Sequence, residues 1–224
     1  MSDASIADVA LHDNTSERLA CVLVLDGSSS MGGSPIDELN AGLRLLEDEL
    51  KKDDEASQKV QLLVIRFGGD SRVEVLSNWQ DAMEFQAPTI IANGLSPLGE
   101  AARLALVKIE EQKARYRANG IKYKRPWLFL HTDGEATDEG WELAAAACFA
   151  AEQEKKVVIF GIGAGAANLE KLARFSSRKP MRLQGLKYRE LFLWLSSSVS
   201  SASKTTQDSN VQMPPPTDWA QVPI

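Results

Sequence analysis

Three short stretches of the sequence concentrate side chains that can offer oxygen ligands. They are residues 26–32 (DGSSSMG), 93–99 (NGLSPLG) and 132–134 (TDG). A hard cation such as Mg²⁺ takes about six oxygen ligands, keeps several waters, and usually draws only one or two carboxylates from the protein. Two aspartates and three serines of these stretches match that demand, namely Asp26, Ser28, Ser30, Ser96 and Asp133. The pattern therefore predicts a site for Mg²⁺, with Mn²⁺ or Ca²⁺ as substitutes.

Two of these stretches follow apolar runs that are typical of buried strands. Residues 19–25 (LACVLVL) precede the first stretch, and residues 127–132 (WLFLHT) lead into the third. The second stretch ends where a helix begins, near Pro97. In doubly wound sheets, ligands bind beyond the carboxyl ends of strands where the strand order reverses. We therefore expect the three stretches to meet as loops at one edge of a sheet.

The remaining periodic segments alternate between strands and helices. Helices are predicted at 35–52, 98–116, 139–153, 168–175 and 188–199, and strands at 60–67, 72–76, 157–162 and 181–183. Strands 60–67 and 72–76 form a hairpin around Gly68-Gly69-Asp70. The order predicts an α/β fold, a doubly wound (Rossmann-like), mostly parallel sheet of about six strands with one antiparallel strand and helices on both faces.

One domain is expected in the 224 residues, because single domains usually hold about 100–200. We place it at residues 18–199, after an N-terminal extension at residues 1–17. Residues 200–224 turn to Ser, Thr, Lys, Gln and Pro and predict a flexible Ser/Pro-rich tail. Trp219 could dock on the domain or on a partner, although a disordered terminus is the favoured interpretation.

Composition excludes several classes of function. The net charge is −6 and basic residues are scattered, which argues against nucleic acid. The densest basic stretch, residues 113–125, has interleaved aromatics but is better explained as a solvated helix end and loop. No apolar run approaches the ~18 residues of a membrane span, and residues 1–17 do not resemble a secretory signal. Cys21 and Cys148 lie in apolar settings, so we expect reduced, buried cysteines in a cytoplasmic protein.

The three loops together resemble the metal-ion-dependent adhesion site (MIDAS) of the von Willebrand factor A (VWA) family. That site combines D-x-S-x-S, a hydroxyl from a second loop and an aspartate from a third, which correspond here to Asp26, Ser28, Ser30, Ser96 and Asp133. The resemblance implies that the three serines ligate the metal directly and that the aspartates often act through water. It also implies that an acidic residue of a protein partner completes the metal shell.

The segments ANGLSPLGEA and LHTDGEATDE resemble the TerY/YegL-like stand-alone bacterial branch of this family. Members of that branch are often linked with tellurite resistance or stress systems, and with partner kinases and PP2C-type phosphatases. Three positions depart from the usual pattern: Ser29 where a small residue such as Gly is common, Ser96 where Thr is usual, and Leu95 where Gly is common. Because Ser keeps the ligand oxygen, we expect tuned affinity and not loss of the site.

Two enzymatic interpretations compete with a non-catalytic binding module. A metal-dependent, phosphatase-like hydrolase would use Mg²⁺ to activate water, with His131 as the only credible general base. A triad of His131 with Ser28 or Ser30 is disfavoured, because the chain lacks G-x-S-x-G and the order of a hydrolase. The glycines at 161, 163 and 165 imitate a dinucleotide fingerprint but lack its final spacing, so tight packing explains them better.

Overall fold

The computed structural model describes residues 14–70, 72–134, 136–205, 215–216 and 219–221. Seven strands form one sheet in the order β3-β2-β1-β4-β5-β6-β7. The strands are β1 (Leu19–Gly27), β2 (Val60–Gly68), β3 (Arg72–Asp81), β4 (Trp127–Thr132), β5 (Val158–Gly163), β6 (Met181–Leu183) and β7 (Ala220–Gln221).

Six α-helices flank the sheet within the described residues. They are α1 (Ser34–Lys52), α2 (Asp54–Lys59), α3 (Leu98–Ala118), α4 (Trp141–Gln153), α5 (Leu169–Ala173) and α6 (Tyr188–Lys204). The predicted α/β fold, with a mostly parallel sheet and helices on both faces, is confirmed. None of the described helices is both long and apolar enough to cross a membrane.

The centre of the sheet holds the point at which the strand order reverses. Strand β1 pairs in parallel with β2 on one side and with β4 on the other, and β5 and β6 extend the parallel order. The exceptions lie at the two edges, where β3 pairs antiparallel with β2 and β7 pairs antiparallel with β6. Strands β1 and β4 are adjacent, and the loops that follow them diverge from each other. This divergence opens a crevice between the two loops.

Each face of the sheet carries its own hydrophobic core. Every residue of β1 is buried, and alternate side chains point to opposite faces. Cys21, Leu23 and Leu25 pack with α1 and α6, whereas Val22 and Val24 pack with α3 and α4. Both cysteines are buried and unpaired, in agreement with the sequence prediction.

Helix α2 was not predicted from periodicity because it is a single short segment. Asp53 starts it, since the Asp53 carboxylate accepts hydrogen bonds from the Glu55 and Ala56 backbone N–H groups at 3.1 and 3.0 Å. This is ordinary N-capping, and the spacing of apolar residues in the sequence does not reveal it.

The C-terminal segment differs from the predicted flexible tail in two places. Helix α6 continues to Lys204, and Trp219 is only 1% exposed, with its ring 5.1 Å from the ring of Trp194. The Gln184 N–H donates to the Trp219 carbonyl at 2.8 Å, so this short segment joins the sheet edge. Burial of the large Trp219 indole stabilises the docking of this segment on the domain. Residues 1–13, 206–214, 217–218 and 222–224 lie outside the described part of the chain.

The basic stretch at residues 113–125 spans the end of α3 and the loop before β4, as predicted, but parts of it are buried. Tyr116 is fully buried, and the Lys124 ammonium donates to the Ala202 and Ser203 carbonyls at 2.6 and 2.8 Å. Lys124 therefore satisfies carbonyls that the last turn of α6 leaves free, a favourable place for a cation.

Candidate metal site

Asp26 ties the first and third loops together at the crevice between β1 and β4. Its carboxylate is fully buried, and one oxygen accepts a hydrogen bond from the Ser28 N–H at 2.8 Å. The other oxygen accepts from the Thr132 hydroxyl at 2.8 Å and the Asp133 N–H at 3.2 Å. A buried carboxylate needs such donors to remain charged. Asp26 is thereby held in place at the sheet edge by three hydrogen bonds.

A chain of short polar contacts links the remaining residues of these two loops. The Ser28 and Ser30 hydroxyl oxygens are 3.0 Å apart, and the Ser30 hydroxyl donates to the Asp133 carboxylate at 2.7 Å. Partial burial raises the pKa of Asp133 and the nearby charge of Asp26 adds to that effect, while the Ser30 hydrogen bond opposes it. Two carboxylates in one crevice repel each other unless a cation lies near both. Four of the five predicted ligands thus come together.

The second loop approaches the same crevice and is tied to both of the others. The Ser29 N–H donates to the Gly94 carbonyl at 3.0 Å. The Ser96 N–H donates to the Thr137 hydroxyl at 3.0 Å, and the Thr137 N–H donates back to the Ser96 carbonyl at 2.9 Å. Ser96, the fifth predicted ligand, is held through its own backbone N–H and carbonyl groups.

The Ser96 hydroxyl tests whether the site fits a metal. Ser96 is 6% exposed, and its side-chain oxygen has no hydrogen-bond partner among the described residues. A buried hydroxyl without a partner costs about 1–3 kcal/mol, so a structure retains one where something else satisfies it. A metal ion bound beside this loop would do so. The three serines and two aspartates therefore fit a hard cation.

The five candidate ligands carry little negative charge, because three of them are neutral serines. Within the described ranges, no cluster of three or more His, Cys, Asp and Glu side chains is placed to hold a metal ion. Two carboxylates and neutral hydroxyls suit Mg²⁺ or a similar ion that retains waters, and they suit a closed structural zinc site poorly. A cation held in this way would keep positions open to an incoming ligand.

Three supporting residues were missed by the sequence prediction. Thr132 and Thr137 donate and accept the bonds described above, and Asp138 accepts from the Gly99 and Glu100 N–H groups at 3.1 and 2.9 Å. Asp138 lies shortly before its own helix, α4, where an acid at a helix N-terminus would be expected to act. It caps α3 instead. A Cβ added to Gly99 would lie 2.6 Å from the Asp138 carboxylate, so glycine is required there.

His131 lies behind the loops and not among them. It is 1% exposed, its Nε2 is 3.0 Å from the Tyr188 hydroxyl, and burial lowers its pKa to about 4. The same hydroxyl lies 3.9 Å from the sulfur of Met31. His131 therefore backs the site as a neutral ring. Its described hydrogen bond goes to Tyr188 and not to Ser28 or Ser30, which removes the geometric basis of a triad.

Gly161 and Gly163, in strand β5, have a packing role. A Cβ added to Gly161 would lie 2.9 Å from the Leu172 side chain, and one added to Gly163 would lie 2.5 Å from Leu169. Their function is thus close approach of α5 to β5, in agreement with the interpretation from sequence.

Comparison with known proteins supports the family. The model of the von Willebrand factor type A domain matches residues 21–187. Comparison with curated proteins gives no match. Among solved structures, the mussel byssus proximal thread matrix protein 1, with a zinc-occupied MIDAS motif, gives a TM-score of 0.58 at 16% identity over 85% of this chain and 47% of that chain.

Two further solved structures show the same fold. A von Willebrand factor type A protein from Catenulispora acidiphila gives a TM-score of 0.58 at 14% identity, covering 83% of this chain and 43% of that chain. The pilus adhesin SpaC from Lactobacillus rhamnosus GG gives 0.62 at 11% identity, covering 84% and 32%. The chain spans less than half the length of each of these proteins. VWA domains are known for metal-dependent protein interaction through the MIDAS, and since the family model covers well over half of the sequence, this chain belongs to the von Willebrand factor type A domain family.

Proposed function

We propose that this protein is a metal-dependent interaction module that binds a protein partner through a divalent cation, with Mg²⁺ as the preferred ion. The observation that carries the proposal is the buried Ser96 hydroxyl, which lacks a partner among the described residues. Its loop is bonded to the first loop through the Gly94 carbonyl and the Ser29 N–H, next to the linked Ser28 and Ser30 side chains. Nothing in the arrangement requires a second metal or a nucleophile.

Each residue of the site has a role suggested by its contacts. Ser28, Ser30 and Ser96 would ligate the metal through their hydroxyl oxygens. Asp26 and Asp133 would hold metal-bound water, because Asp26 already accepts three protein hydrogen bonds. When bound, the cation supplies positive charge that neutral hydroxyls leave largely uncompensated, which attracts an anionic oxygen from outside.

The partner would offer a carboxylate or a phosphate together with an apolar surface. Two large apolar side chains near the second loop are exposed to solvent, Ile91 at 67% and Leu95 at 57%. Such side chains beside a polar centre are typical of interaction sites. They would contact apolar atoms around the anionic group that enters the metal shell.

The segments around the second and third loops support placement in the TerY/YegL-like branch. On that basis we propose a cytoplasmic role in a tellurite-resistance or stress system, with a kinase or a PP2C-type phosphatase as the partner. The alternative of a phosphatase-like hydrolase is weakened by the burial of His131. Metal-dependent turnover of a generic phosphoester, abolished by Asp26→Ala, would favour the hydrolase over the interaction module.

The first test is calorimetric titration of Mg²⁺ and Mn²⁺ into metal-stripped protein. We expect saturable binding by the wild type and none by the double variant Asp26→Ala, Ser28→Ala. Ser198→Ala is the matched control, because Ser198 also has a buried hydroxyl without a described partner but lies about 15 Å along α6 from Tyr188.

Circular dichroism must show that each variant folds. Wild-type protein that is folded yet binds neither ion would overturn the metal site. Binding that persists in the double variant would place the ion elsewhere. A metal-dependent pull-down, compared between wild type and the double variant, then tests for the protein partner.

A further inference from the structure

Helix α4 is apolar on the side that faces solvent. Leu143 is 73% exposed and Phe149 is 42% exposed, and three exposed alanines lie between and beside them on the same side of the helix, Ala146, Ala147 and Ala150. The remaining exposed positions within the helix are Glu142 and Gln153. At 100° per residue the five apolar positions span nearly half of the helix circumference, and Glu142 and Gln153 lie within this arc toward Phe149.

The inner side of α4 is apolar as well. Ala144, Ala145 and Cys148 are buried in the core shared with α3 and β5. Glu152 is also buried, since the Ile159 and Ser177 N–H groups donate to its carboxylate. Five of the seven exposed positions of α4 are thus apolar, whereas a surface helix of a monomer normally has a polar outer face.

Helix α1, on the opposite face of the sheet, provides an internal comparison. Its inner positions form an apolar stripe as in α4, but its exposed positions are mostly charged: Asp37, Glu38, Arg44, Asp48, Lys51 and Lys52. The domain thus solvates the outer side of α1 in the usual way. The contrasting apolar outer face of α4 indicates that another surface covers it.

We propose that α4 forms a homodimer interface, in which it packs antiparallel against α4 of a second copy of this chain. Small side chains at the centre, Ala146 and Ala150, would let the two helices approach closely, while Leu143 and Phe149 fill the space on either side. A two-fold axis near the middle of the helix generates such a self-complementary contact.

Charge favours a second copy of this chain as the occupant. The N-terminal end of α4 carries Glu139 and Glu142, whereas Lys155 and Lys156 follow its C-terminal end, with Glu154 paired to Lys156. In an antiparallel pair, the acidic end of each helix meets Lys155 of the other, because Glu154 already neutralises Lys156. The helix dipoles also oppose each other favourably. This interface is independent of the metal site and of the function proposed for it.

The test is sedimentation equilibrium of the full chain over a range of concentrations. We expect a reversible dimer for the wild type at concentrations up to about 100 µM. Leu143→Glu and Ala146→Glu should each raise the dissociation constant by about a hundredfold, because they bury a charge in the contact. Val107→Glu is the matched control, since Val107 is 52% exposed on the neighbouring α3 and should leave the dimer unchanged.

Charge reversal tests the antiparallel arrangement. Glu142→Lys should weaken the dimer, and adding Lys155→Glu should restore it. A monomer at every concentration, in wild-type protein shown to fold by circular dichroism, would overturn the proposal and leave the face to a different protein. A dimer that survives Leu143→Glu and Ala146→Glu, or that Val107→Glu disrupts, would also overturn it. Failure of the charge-reversal pair to restore the dimer would refute the antiparallel packing.

Discussion

At the scale of single residues, the serines and threonines of the site divide into two kinds. Thr132 donates to the buried carboxylate of Asp26, so its hydroxyl contributes to the protein fold. The hydroxyl of Ser96 has no described partner, so it contributes nothing to the metal-free fold. The two kinds of hydroxyl should therefore respond differently to removal.

We expect Ser96→Ala to leave the metal-free stability unchanged or slightly higher, because it removes a buried oxygen without a partner. The same variant should lose most of the rise in melting temperature that Mg²⁺ gives the wild type, since that rise reflects binding to the folded state. Thermal unfolding with Mg²⁺ and with a chelator measures both effects.

Thr132→Val is the contrasting variant. It should lower the free energy of unfolding by about 1–3 kcal/mol even in chelator, because one oxygen of the Asp26 carboxylate loses a donor. If Ser96→Ala proved as destabilising as Thr132→Val without metal, the Ser96 hydroxyl would have a structural partner and the argument for a ligand role would fail.

At the scale of elements, Glu152 joins α4, β5 and the loop before β6. One carboxylate oxygen accepts from the Ile159 N–H at 2.9 Å, and the other accepts from the Ser176 and Ser177 hydroxyls at 2.8 and 2.7 Å. Burial alone would raise the pKa of Glu152, but these hydrogen bonds outweigh it and lower the pKa from its ordinary value of 4.5. The charged carboxylate thus stabilises the fold.

The stability that Glu152 contributes should depend on pH. Because its pKa is lower in the folded state, the unfolded chain binds the proton first as the pH falls, and stability declines below about 4.5 as the folded pKa is approached. Urea unfolding of wild type and Glu152→Gln should differ by about 1–3 kcal/mol at neutral pH, with the difference shrinking as the pH falls below 4.5. A difference independent of pH would contradict this account.

At the scale of the whole molecule, the C-terminal segment closes the sheet edge beside β6. Trp219 packs against Trp194 of α6, and Ala220 and Gln221 pair with Leu183 and Arg182. The segment also holds the turn that leads into Tyr188, through the bond from Gln184. Residues 219–221 therefore pack against β6 and α6.

We expect Trp219→Ala to lower the free energy of unfolding by about 3 kcal/mol, because it empties a large buried site. The amide of Gln184 should also exchange with solvent faster, since it donates to the Trp219 carbonyl. Denaturant unfolding and hydrogen exchange measure the two effects. Leu186→Ala, at a 43% exposed position in the adjacent turn, is the control and should change little. Equal stability of Trp219→Ala and wild type would argue against docking of the segment.

Local pattern was sufficient to predict most of the fold and the candidate ligands. The apolar runs at β1 and β4 and the spacing of Asp26, Ser28 and Ser30 predicted a sheet with an oxygen-rich edge, because periodicity and loop chemistry act over a few residues. Strand β4 and strand β6 agree with their predicted bounds, and α1, α3 and α4 differ by two residues or fewer at each end.

Tertiary structure alone decided which distant side chains meet. The bond of Thr132 to Asp26, the capping of α3 by Asp138, the contact of Tyr188 with His131 and the burial of Trp219 all join residues far apart in sequence. Such contacts depend on strand order, register and the packing of helices on the sheet, which no local spacing specifies. Oxygen ligands and apolar faces follow from residue types, but their partners follow only from how the elements pack together.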